Sequence, residues 1–75
     1  MTSALELMRA APTSTDNQII ALVRTSMLRQ PEGKRHLWLR EMDLALDGYG
    51  GETSKRSINR IREVIRGISA GLGIG

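Results

Sequence analysis

Lys55, Arg56, Arg60, Arg62 and Arg66 crowd one short stretch near the C-terminal end of the sequence, opposed there only by Glu63. Clustered lysine and arginine attract phosphate or carboxylate, so this stretch is where a partner class becomes visible. A glycine-bearing turn (Gly48, Gly50, Gly51) precedes it. Helix, turn and second helix with polar and basic residues at its start is the layout of a helix-turn-helix reader. In that layout Ser54, Lys55, Arg56, Ser57, Asn59 and Arg60 would supply contacts, with Arg62 and Arg66 extending the cationic surface. Arginine pairs bidentately with guanine and asparagine with adenine, while serine and lysine hold phosphates. The turn is longer than a standard helix-turn-helix connection.

Other residues of chemical interest form no recognisable constellation. His36 is the single histidine and lies between Arg35 and Leu37, with no nucleophile or orienting carboxylate nominated nearby. Asp43 and Asp47 stand i, i+4, but two carboxylates without further oxygen ligands make a poor Ca²⁺ or Mg²⁺ site. The serines and threonines at 13–15 and 53–57 read as helix caps. Gly50-Gly51-Glu52-Thr53-Ser54-Lys55 lacks the spacing of a phosphate loop and follows no strand. The expectation is no enzyme, no metal, no cofactor and no small-molecule substrate.

The elements that must position these residues are helical. Ile58, Ile61, Ile65 and Ile68 recur at i, i+3, i+7 and i+10, which stacks them on one side of a helix over residues 54–68. Upstream, residues 2–11 suit a short helix with Leu5 and Met8 spaced i, i+3, which Pro12 stops. A run of cap-forming residues, Thr13 to Asp16, starts a second helix reaching Arg29, with Ile19, Ile20, Leu22, Val23, Ser26 and Met27 on one face. Pro31-Glu32-Gly33 turns the chain. A third helix over residues 34–47 places Trp38, Leu39, Met42, Ala45 and Leu46 together. Thr53 or Ser54 caps the basic fourth helix, and the glycine-rich end from Ser69 should fray. No segment alternates as a strand would. The sequence therefore predicts an all-α fold: a small bundle of three main helices plus a short N-terminal helix, helix-turn-helix-like in its C-terminal half. Residues 1–70 form one domain and 71–75 a flexible tail.

The chain has 75 residues, no cysteine and a net charge of +3. A domain of this size buries only about 60% of its unfolded surface, and no disulfide can supplement the core. Residues 1–52 carry six basic and seven acidic side chains, whereas 53–75 carry five basic and one acidic, so the positive excess belongs to the last helix. The start lacks a signal-peptide pattern, and no apolar run approaches the roughly 20 residues of a membrane span. A cytoplasmic protein that avoids the membrane is expected.

Two functions fit these features. One is a DNA-binding regulator that meets duplex DNA through the basic helix. The other is a protein-docking regulator, inhibitor or adaptor, in the style of small phage or mobile-element proteins, that meets an acidic protein surface. Leu37 and Leu44, one heptad apart, lie roughly opposite the Trp38 arc of the third helix. They must be covered either by a neighbouring helix of the same chain or by a partner. With Leu28 they are the candidate interface, for which a homodimer is one expectation.

Overall fold

The computed structural model describes residues 3–72, with residues 52 and 53 described in backbone only. Among these, every regular element is helical: α1 (Ala4–Ala10), α2 (Asp16–Leu28), α3 (Arg35–Leu46) and α4 (Glu52–Gly71), with 3-10 turns at Ala11–Thr13 and Glu32–Lys34. The all-α bundle expected from the periodicity is the fold.

Local chemistry sets the boundaries. Ser3 caps α1 by accepting from the Glu6 amide, and Pro12 falls inside the following 3-10 turn. Thr15 caps α2 in a reciprocal box. Its Oγ1 accepts from the Gln18 amide at 3.2 Å, and its own amide donates to Gln18 Oε1 at 2.7 Å. Between α3 and α4 the amides of Asp47, Gly48 and Tyr49 donate to the carbonyls of Leu44, Ala45 and Leu46. Gly51 then turns at φ +96°, a conformation that favours glycine, and forms the N-cap itself. The helix therefore starts ahead of Thr53 and Ser54, the residues expected to cap it. At the other end α4 continues to Gly71, beyond the point where fraying was expected, so Ser69 and Ala70 are helical.

The core joins Leu7 and Ala11 to Ile19, Val23 and Met27 of α2, Leu39, Met42 and Leu46 of α3, and Ile58, Ile61 and Ile65 of α4. The isoleucine stripe is inward as its spacing requires, with Ile68 half-buried. Every other helix packs on α4. On α3 the innermost line is Leu39, Met42 and Leu46, and the neighbouring positions diverge by size. The Trp38 ring reaches the core from the edge and is half-buried, whereas the Ala45 methyl falls short and is exposed. Trp38 packs against the core as its place on the α3 face predicts, but that face was expected to include Ala45 as well. The face is narrower than that.

Candidate functional site: the flanks of the basic helix

Positions 60 and 62 lie about 200° apart around a helix, so their side chains leave α4 on opposite flanks. Arg60 reaches the N-terminal segment. Its Nη1 donates to the Ala11 carbonyl at 2.6 Å, its Nη2 to the Ser14 carbonyl at 2.7 Å, and Nη2 also meets Asp16 Oδ1 at 3.0 Å. These carbonyls end the first helical segment, where that of Ala11 also accepts from the Ser14 amide, and arginine's rigid fork reaches both at once. Arg62 turns towards α3. Its Nε donates to Asp43 Oδ1 at 3.0 Å, and its Nη2 pairs with Asp47. The hydrogen bond to Asp47 holds the guanidinium pKa above its ordinary value, against a smaller opposing effect of desolvation. Asp43 and Asp47 thus serve an internal cation, and no group of three potential metal ligands occurs among the described residues.

The eight residues expected to face a nucleic acid or acidic partner consequently separate. Ser57 is buried, Arg60 and Arg62 brace the bundle, and Ser54 is half-buried. Lys55, Asn59 and Arg66 line the outward side of α4, with Arg56 exposed further round the helix. His36 is exposed at a shallow groove between α3 and α4, where Arg62 engages the neighbouring Asp43.

The three candidate interface leucines are all exposed: Leu28 at 53%, Leu37 at 44% and Leu44 at 58%. Among the described residues no helix covers the outer side of α3, so Leu37 and Leu44 are not sandwiched between helices there. Leu28 belongs to a separate surface. It stands at one end of an open groove of about 730 Å³ between α2 and α4. Ile20 and Met27 form one wall of that groove and Val64, Ile68 and Leu72 the other. Gly67 and Gly71 widen it, since a Cβ at either position would meet nothing within 4 Å. Arg24 stands on the α2 lip and Glu63 on the α4 lip. Both are exposed, and neither forms an ion pair among the described residues.

Sequence reasoning did not find this groove. Its one local signal was the pair of glycines at i, i+4 beside Val64 and Ile68, on the flank of a helix whose isoleucines dominate the pattern. A small four-helix bundle with an open apolar groove on one side and a braced cationic helix is thus the class that fold and site define. Compared with protein-family models, curated proteins and solved structures, the chain finds no significant match. Among the described residues no helix is long and apolar enough to cross a membrane.

Proposed function

We propose that the chain is a non-enzymatic docking module that seats a helical segment of a protein partner in the α2–α4 groove. The observation that carries this reading is Gly67, placed inside α4 about one turn from its end, over open space. Glycine inside a helix is about 1 kcal/mol less favourable than alanine, and nothing among the described residues needs the missing Cβ. A partner helix approaching closely would need it. The apolar walls suit the apolar face of an amphipathic helix, recognised through anchors at i, i+3 or i+4, and i+7. A small regulator, inhibitor or adaptor works in this way.

The position is tested by two substitutions. Gly67→Ala should stabilise the chain by about 0.5–1 kcal/mol in denaturant melts, because the new methyl meets no neighbour. Gly67→Leu should also fold, yet fill the groove and lose at least tenfold in affinity for amphipathic helical peptides selected on the wild type. Selected peptides that bind Gly67→Leu as well as the wild type would contradict the reading.

Nucleic-acid binding is a second reading, favoured by the alignment of Lys55, Asn59 and Arg66 on the outward side of α4. With Arg56 this leaves a modest cationic face, so binding would weaken steeply with salt, at a slope near −0.9 per phosphate contact. Gel shifts across salt concentrations should then show Arg56→Ala and Arg66→Ala each lowering the slope by about one. No shift of duplex DNA even at low salt would remove this reading.

A further inference from the structure

Among the described residues, two apolar surfaces lack a covering, and they match each other. One is the α2–α4 groove. The other is the ridge of Leu37 and Leu44 on the outer side of α3, whose residues take no part in lining that groove. Resting on the docking reading above, we propose that the occupant of the groove is the α3 ridge of a second copy of this chain.

Dimensions and charge both support the match. Leu37 and Leu44 are seven residues apart, about 10 Å along a helix, and the groove walls run about 18 Å, from Asp16 to Leu28 on α2 and from Arg60 to Leu72 on α4. Arg40 and Glu41 are exposed on opposite sides of the leucine line, each about 50° from it on average. Asp16 and Arg60, at one end of the groove, pair with each other, and among the described residues the unpaired charges left on its lips are the complementary Arg24 on α2 and Glu63 on α4. A ridge seated with Glu41 towards Arg24 and Arg40 towards Glu63 satisfies both lips. The reversed direction sets like charges against each other, so charge selects one polarity for the docked helix.

A ridge meeting a groove is a contact between unlike surfaces. Such a contact is heterologous and propagates head to tail, giving a closed ring or an open chain of subunits in place of a two-fold dimer. This differs from the symmetric pairing of α3 helices that the leucine spacing alone suggests.

Complementation between variants tests the inference. Leu44→Glu keeps the groove and disables the ridge, while Gly67→Leu keeps the ridge and fills the groove. Leu28→Glu at the exposed lip replaces Gly67→Leu should the latter fail to fold. In light scattering the wild-type mass should rise with concentration, and each folded variant alone should remain a monomer. An equimolar mixture should form a heterodimer that grows no further. Arg24→Glu or Glu41→Arg alone should weaken wild-type association about three- to fivefold, as expected for rim charges, and the two together should restore it. A wild type that stays monomeric to millimolar concentration would overturn the proposal. So would association that survives filling the groove, or folded variants that fail to complement. The docking reading is judged separately: it stands if selected helical peptides still need an open Gly67, and falls if they do not.

Discussion

Arg60→Ala should destabilise the protein by about 2 kcal/mol and loosen the N-terminal segment from the bundle. The guanidinium holds the Ala11 and Ser14 carbonyls and the Asp16 carboxylate together. Hydrogen bonds from a charged donor contribute about 1.5–3 kcal/mol, more than neutral ones. The carboxylate contributes the smaller share, because the Asp16 side chain is 78% exposed and its ion pair is screened by water. Asp16→Asn should therefore cost less than about 1 kcal/mol. Hydrogen exchange locates the effect: α1 amides should lose protection in Arg60→Ala well before those of α2 and α3. An unchanged melting midpoint, or uniform loss of protection, would show that Arg60 does not brace the N-terminal segment.

Ile61→Ala should be among the most damaging single substitutions in the core, at about 2–5 kcal/mol. Ile61 is fully buried, in the middle of the helix on which all the others pack. Truncation removes transfer free energy and leaves a cavity that four short helices close only in part. Native stability runs near 0.05–0.15 kcal/mol per residue, so a chain this short has on the order of 4–11 kcal/mol in total. Ile61→Ala should accordingly sit near the unfolding threshold at 37 °C. Trp38→Ala should cost less than the full value for a buried aromatic, since the ring is half-buried and part of its surface already meets water. Equilibrium denaturation of the two variants side by side checks the order. A larger loss at Trp38 would place the centre of the core on α3 and not on α4.

The isoleucine spacing, the turn residues and the cap run made the helices and their inward faces legible, because each depends on neighbours within a turn or two. What stayed hidden depends on contacts between distant segments. Arg60 and Arg62 look equivalent along the sequence. Only the bundle sends one to a carbonyl cluster more than 40 residues away and the other to Asp43 of α3 and Asp47 at its C-terminal cap. Five clustered cations consequently suggested a wider binding face than the fold exposes. Likewise Leu37 and Leu44 were recognisably off the core face, but whether a neighbouring helix covered them turned on how four helices share one small core. The cap at Gly51 escaped notice for a different reason. Glycine has no side chain to make the hydrogen bond that marks most helix starts.

Docking in the groove is tested most directly by finding where a bound helix sits. Amide chemical shifts of the labelled protein, titrated with an amphipathic peptide selected on the wild type, report the contact residue by residue. Seating between α2 and α4 should move the amides along both groove walls, centred on Ile20, Leu28, Val64 and Gly67, and Gly67→Leu should abolish those shifts. Shifts confined to Lys55, Asn59 and Arg66 with a silent groove would contradict docking there, and would assign the partner to the basic face instead.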